Sequence, residues 1–334
     1  MRLRLSPKVI LRIALVVAGA ALFGWLLWTH FPNLSSLGDS FARVRWEFVA
    51  LAIAWNLLSV LARALAWRTV IEQAMPPPRP GYRDVFAAFC VGLFANAVLP
   101  GRIGELARVA VLRRRYTAAP GAGATLVSTV FAHRMFDLPA TLALVIYVFV
   151  AAKIPGWANT SIELFIALGL VLLLVALIAA RRRDNASLAG LGPVRRVLRM
   201  ARFGLAVMHE PVAAAGALLG QFTGWLCQLA AVYTAMRAFD IHAPLAAAAL
   251  VLLLMNVATV FPLWPGNFGL VQAAIAAPLV SYGVVYAHGI AFGVGLQAIE
   301  ASVGVGLGLL FLAREGFSYN SLKQIPQMTE EEGR

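Results

Sequence analysis

The segment Leu99-Pro100-Gly101-Arg102-Ile103-Gly104-Glu105-Leu106-Ala107-Arg108 places charged side chains directly after a helix-breaking turn, in an otherwise apolar stretch. Pro100 lacks an N–H and disfavours helix in the residue before it. Gly101 and Gly104 allow close backbone approach. A new half-helix starting near Arg102 offers free N–H groups and a partial positive charge, which suits an anion. Arg102, Glu105 and Arg108 follow at i, i+3 and i+6, roughly on one face. Glu105 can pair with either arginine. At the membrane surface this set is an ion-paired helix start. Inside the bilayer, where a charge costs about 2.5–3.5 kcal/mol on insertion scales, it is an arginine-lined phosphate site closed by Glu105. Depth decides between the two readings.

A second set, His133-Arg134-Met135-Phe136-Asp137, sits in the middle of another apolar run. Arg134 and Asp137 stand at i, i+3 and can pair; His133 and Asp137 stand at i, i+4. The set is read either as a salt bridge pinning its helix to the first motif or as part of a functional site. A proton relay through His133 is a weaker reading. A third motif, Pro265-Gly266-Asn267-Phe268-Gly269, repeats the P-G-x-x-G pattern of residues 100–104 without charge. There Asn267 and Gln272 supply neutral hydrogen bonding. Asn96 and Asn256 precede the two turns. Gln297 and Glu300, again i, i+3, read as helix–helix glue. Arg63 is expected to snorkel to the cytoplasmic side. His30, His209, His242 and His288 read as surface histidines. Cys90 and Cys227 lie in apolar stretches without metal-ligand spacing and read as packing residues. No nucleophile–base set, metal cluster or cofactor motif is legible, so catalytic, metal and cofactor residues are expected to be none.

The elements that must position these residues are membrane helices. Apolar types make up 61% of the 334 residues and charged types 13%. The apolar residues come in blocks near the roughly 20 residues that cross a hydrocarbon core. Eight units are read: about 10–29 (an uncleaved signal anchor), 47–67, 84–112, 121–150, 162–180, 211–236, 244–281 and 286–313. The net charge of +13 is carried almost wholly by Arg, in short loops. That is the positive-inside pattern and not a nucleic-acid footprint. Arg2, Arg4 and Lys8, then Arg68, Arg79 and Arg83, then Arg113, Arg114 and Arg115, then the loop 181–204 mark the cytoplasmic side. The third unit has cytoplasmic signals at both ends, so it is expected to enter, turn at Pro100-Gly101 and return. The seventh, broken at Pro262 and Pro265-Gly266, does the same from the other side. The expected fold is all-α and polytopic, with about six spanning helices and two opposed re-entrant hairpins in an inverted pseudo-repeat (about 45–170 and 205–313). Residues 1–315 form one membrane domain and 316–334 a polar cytoplasmic tail. Chance recurrence of Pro and Gly as membrane helix breakers is the competing account of the repeat.

The motif P-G-x-x-G-E-x-x-R on Pro100, Gly101, Gly104, Glu105 and Arg108, with HRMFD at 133–137 and PGNFGLVQ at 265–272, resembles the lysylphosphatidylglycerol synthase transmembrane (flippase-like) family over about residues 10–315. The resemblance implies two re-entrant hairpins and translocation or handling of a lipid in a bacterial inner membrane. It departs from the family where Glu often precedes the Arg of the R-x-x-D element (here His133) and where Glu often follows the second P-G-x-x-G (here Gln272). Both changes remove negative charge, which favours an anionic lipid over a cationic headgroup. The expected substrate is therefore an anionic phospholipid or a polyprenyl or other lipid-linked molecule. Its expected binding residues are Pro100, Gly101, Arg102, Gly104, Glu105, Arg108, Arg134, Asp137, Pro265, Gly266, Asn267, Gly269 and Gln272. Both termini are expected in the cytoplasm. An enzyme acting on a lipid-linked substrate, and a membrane subunit docking a cytoplasmic lipid-modifying enzyme through 181–204, stand as alternatives. A homodimer is left open.

Overall fold

A computed structural model of the chain describes residues 40–98, 103–116, 122–156, 210–260 and 265–314, with isolated positions outside these ranges. The first and fifth apolar units, the loop 181–204 and both termini therefore lie outside the described residues, the fifth apart from scattered positions. The described residues are helical throughout: α1 Trp46–Ala74, α2 Tyr82–Val98, α3 Gly104–Arg115, α4 Ala122–Ala151, α5 Pro211–Ala238, α6 Leu245–Val260, a 3₁₀ turn Pro265–Asn267, α7 Leu270–Val280 and α8 Tyr286–Arg314. Four of them, α1, α4, α5 and α8, are long and apolar enough to cross a membrane. They coincide with the second, fourth, sixth and eighth units read from the sequence.

The order of lengths repeats. The first half runs 29, 17, 12 and 30 residues; the second runs 28, 16, 11 and 29. Packing repeats as well: α2 lies on α3 and α8, while α6 lies on α7 and α4. At the centre, α1 packs on α5 more extensively than any other pair. The two run antiparallel, since Arg45 N–H donates to the Ala238 carbonyl (3.0 Å), Ser59 Oγ to the Gly224 carbonyl (2.7 Å), and Gly220 lies against Ala62 and Ala66.

Small residues make these close contacts possible. Helices already in an apolar medium gain no hydrophobic drive from pairing, so they rely on backbone proximity and interhelical hydrogen bonds. Gly220 and Gly224 seat α5 on α1, Gly289 and Gly293 seat α8 on α7, and Gly304 and Gly308 seat α8 on α2. Each pair is spaced i, i+4 and so lies on one helix face. On the opposite face of α1, Leu51, Leu58 and Leu65 form an exposed apolar stripe at seven-residue spacing. This is the surface that a lipid-facing helix presents.

The α2–α3 hairpin is locked at both ends. At its turn, Asn96 Oδ1 accepts the Gly104 N–H (2.8 Å), satisfying one of the orphan donors of α3 that its own preceding residue leaves uncapped. A Cβ on Gly104 would overlap both the Gly92 carbonyl and the Asn96 side chain. We therefore expect Gly104→Ala to destabilise the protein by about 1–3 kcal/mol, as overpacking does, seen as a lowered melting temperature in detergent. An unchanged melting temperature would mean that this approach is not needed. At the open end, Asp84 in the first turn of α2 pairs with Arg115 and accepts the Tyr116 hydroxyl (2.8 Å). Burial first, and then the Asp84 carboxylate, raise the Tyr116 phenol above its ordinary range.

Candidate functional site

The first hairpin presents its chemistry where α3 begins. Glu105, in the first turn, pairs with Arg108 on its own helix and with Arg134 on α4. Arg134 also reaches Asp137 (3.3 Å). Two cations and two anions thus form one network across α3 and α4. Arg108 and Arg134 rise beside Glu105 once α3 packs on α4. Arg102, with Pro100 and Gly101, lies outside the described residues.

Burial separates the two arginines. The Arg108 side chain is 5% exposed and that of Arg134 50%. Arg108 is also sandwiched by aromatic rings, with its guanidinium carbon 4.5 Å from the Trp67 centroid and 5.4 Å from that of Phe89. Ring faces attract a cation and spare it water. Its Nε is buried without a hydrogen-bond partner. Trp67 in turn donates Nε1–H to Thr129 Oγ1 (3.1 Å), which fixes the sandwich between α1 and α4. Arg108 is therefore a held, neutralised charge, and Arg134 is the accessible one.

Glu105 also fixes where α3 begins along α4. Its partner Arg134 stands near the middle of the 30-residue α4. The start of α3 therefore lies beside the midpoint of a helix long and apolar enough to cross a membrane. The second hairpin matches it. Gln297, near the middle of α8, donates to the Gly266 carbonyl (2.6 Å) and accepts from Gln272. Gln272 Oε1 also accepts the Gly269 N–H (2.6 Å) at the start of α7, and Asn267 Nδ2 donates to the Ala258 carbonyl (3.0 Å) across the turn. Gly266 and Gly269 both adopt positive φ, 69° and 89°, which a side chain would strain. Pro265 opens this turn as the 3₁₀ segment begins. Asn256 does not repeat the part of Asn96; its amide bonds its own helix at Leu252.

Other assignments change in the folded chain. Arg63 does not snorkel: it turns inward to Gln228 on α5 (2.7 Å) and stacks on Trp225 (5.0 Å). Gln228 and Trp225 on α5 give the guanidinium a hydrogen-bond partner and an aromatic face inside the bundle. His133 is buried against Gln221 on α5, which donates to its backbone carbonyl (3.0 Å) and contacts its ring, while Asp137 accepts Trp225 Nε1–H (3.2 Å) instead of pairing with His133. His288 is a tie rather than a surface residue. Its Nε2 lies 2.7 Å from the Phe239 carbonyl, an acceptor only, so Nε2 carries the proton and Nδ1 accepts from Ser40 (3.1 Å). His242 is exposed, and His30 and His209 lie outside the described residues. Cys90 and Cys227 are free and buried. Sequence reading missed Trp225, Gln221 and Gln228, because nothing along the chain marks which face of α5 meets α1 and α4.

Among the described residues no group of three or more His, Cys, Asp or Glu could hold a metal ion. The arrangement can instead hold an anion against Arg134 while Glu105 and Asp137 keep that arginine oriented. Neither a curated protein nor a solved structure matches the chain significantly. The family model described as the lysylphosphatidylglycerol synthase TM region matches residues 9–308. With four helices fit to cross a membrane and a match over most of its length, this chain belongs to the lysylphosphatidylglycerol synthase TM-region family and is a multi-pass membrane protein related to lipid handling.

Proposed function

We propose that the protein translocates an anionic phospholipid or lipid-linked molecule across the bacterial inner membrane, with both hairpins re-entrant and the two halves an inverted repeat. The observation that carries this reading is Arg134. It is half exposed at the midpoint of a membrane-length helix, oriented by two carboxylates and facing the turn of a hairpin whose helices are too short to span. At about 1.5 Å per residue, α2 and α3 reach roughly 26 and 18 Å against a core of about 30 Å. Backbone that breaks helix at such depth is tolerated when it is packed in protein or lines a polar cavity. The antiparallel α1–α5 pair and the repeated lengths support the inverted arrangement, whose hairpin turns are the usual place for a midplane substrate site. A phosphate offers oxygens matching the Arg134 fork. The neutral amides of Gln272, Gln297 and Asn267 suit an uncharged headgroup better than a cationic one.

The reading is tested by reconstituting the protein in vesicles and following fluorescent phosphatidylglycerol by dithionite quenching. The expected result is faster movement of phosphatidylglycerol than of phosphatidylcholine, relative to protein-free vesicles. Equal rates with and without protein overturn it. Conversion of a labelled lipid into a new product would favour the enzymatic alternative.

A further inference from the structure

Arg63 is left over by the network above, yet it lies at the heart of the molecule. It stands beyond the midpoint of α1, against the mid-length of α5. Its Nη2 donates to the neutral amide of Gln228, and its Nε is buried without a hydrogen-bond partner. Arg108 and Arg134 both have carboxylates in ion-pair contact; Arg63 has none among the described residues. Two carboxylates stand near without an ion-pair contact: Asp137, across Trp225, and Glu300, reached through Gln228, whose Nε2 lies 3.5 Å from Glu300 Oε1. Gly224 makes the room, since a Cβ there would stand 2.6 Å from Arg63 Cγ.

Contacts link this residue to both hairpin turns. From the first, Glu105 leads to Arg134, Arg134 to Asp137, Asp137 to Trp225, and Trp225 to the Arg63 guanidinium stacked on it. Arg63 leads through Gln228 to Glu300. One helical turn away on the same face of α8, Gln297 reaches Gln272 and the Gly266 carbonyl of the second hairpin. The helix α2 also touches the 3₁₀ turn of the second hairpin.

The repeat explains the position. Ser59 with Gly224, and Arg63 with Gln228, are pairs separated by 165 residues, the separation of Pro100 and Pro265. Arg63 and Gln228 are therefore counterparts in the two halves, bonded to each other where the halves meet. Arg134-x-x-Asp137 and Gln297-x-x-Glu300 are also i, i+3 pairs near the middles of α4 and α8, 163 residues apart. The first half carries the cation at each place and the second carries an amide.

Resting on the translocation reading, we propose that Arg63 is a second phosphate-binding station, which receives the anionic headgroup from Arg134 midway between the two hairpin turns. Arg108, buried and already paired with Glu105, would gain little from a phosphate, whereas Arg134 meets one with its exposed side. A cation held only by an amide and an aromatic face gains charge-assisted hydrogen bonds on binding a phosphate. The competing role is a bolt between α1 and α5.

Gln228→Glu made together with Glu300→Gln separates the two roles, because Gln228→Glu alone would set two carboxylates against each other. The double substitution gives Arg63 a carboxylate partner without removing any contact of the arginine. A bolt is tightened by that change, whereas a station is filled by it. The expected result in reconstituted full-length protein is an unlowered melting temperature and movement of fluorescent phosphatidylglycerol slowed about tenfold or more, the scale of a lost charged hydrogen bond. Arg63→Gln, which leaves a neutral amide pair with Gln228, is the second arm and should slow movement to the same degree. Wild-type rates in either variant overturn the station while leaving the translocation reading intact. If the wild-type protein moves no phosphatidylglycerol, that reading falls and this one falls with it.

Discussion

Glu105→Gln should be among the most damaging single substitutions at the first hairpin, costing about 3–5 kcal/mol because it strands a buried guanidinium. Arg108 is nearly inaccessible, and Glu105 is its one ion-pair partner among the described residues. An arginine side chain cannot shed its proton to escape the cost. The two ring faces of Trp67 and Phe89 soften the charge but accept no hydrogen bond from the already unpartnered Nε. The reverse deletion is expected to be milder. Arg108→Met leaves Glu105 still paired with Arg134 and puts an apolar chain of similar length between the rings. Melting temperatures in detergent should therefore rank wild type, then Arg108→Met, then Glu105→Gln. Arg108→Met added to Glu105→Gln should restore part of the loss, a coupling that a double-mutant cycle measures. A Glu105→Gln protein as stable as wild type would contradict the burial argument.

The second large effect should fall on lipid movement and spare the fold. Arg134 is half exposed, and its loss leaves Glu105 still paired with Arg108 and Asp137 still accepting the Trp225 N–H. Arg134→Gln should therefore melt close to wild type. Its rate of phosphatidylglycerol movement should fall about tenfold or more, from loss of a charge-assisted, two-pronged phosphate contact. Arg134→Lys keeps the charge and loses the fork, so it should fall between the two. Rates from dithionite quenching at matched protein density check this. A wild-type rate in Arg134→Gln would remove Arg134 from the site.

How much of this was legible along the chain varies from element to element. The block lengths and the Pro-Gly breaks marked the boundaries of all eight described α-helices to within a few residues, apart from the C-terminal end of α1, because hydropathy and missing N–H groups act locally. The extension of α1 to Ala74, past Arg68 and Glu72, was not marked. Those residues pair with each other at i, i+4 and so continue the helix beyond its apolar stretch (2.7 Å). The Arg134–Asp137 pair was legible from its i, i+3 spacing, as was the ability of Glu105 to take an arginine.

What the sequence by itself determined, then, is the set of membrane-length helices, the two broken segments and the residues able to carry charge at their turns. Those follow from composition and from spacing within one helix. Only the tertiary structure decided the partners: Arg134 for Glu105, aromatic walls for Arg108, Trp225 for Asp137, Gln228 for Arg63 and Ser40 with the Phe239 carbonyl for His288. The physical reason is that a helix fixes which of its own residues share a face. Which foreign side chain meets that face depends on where glycines such as Gly220, Gly224 and Gly308 let two backbones close together, and that is settled by the packing of the whole bundle.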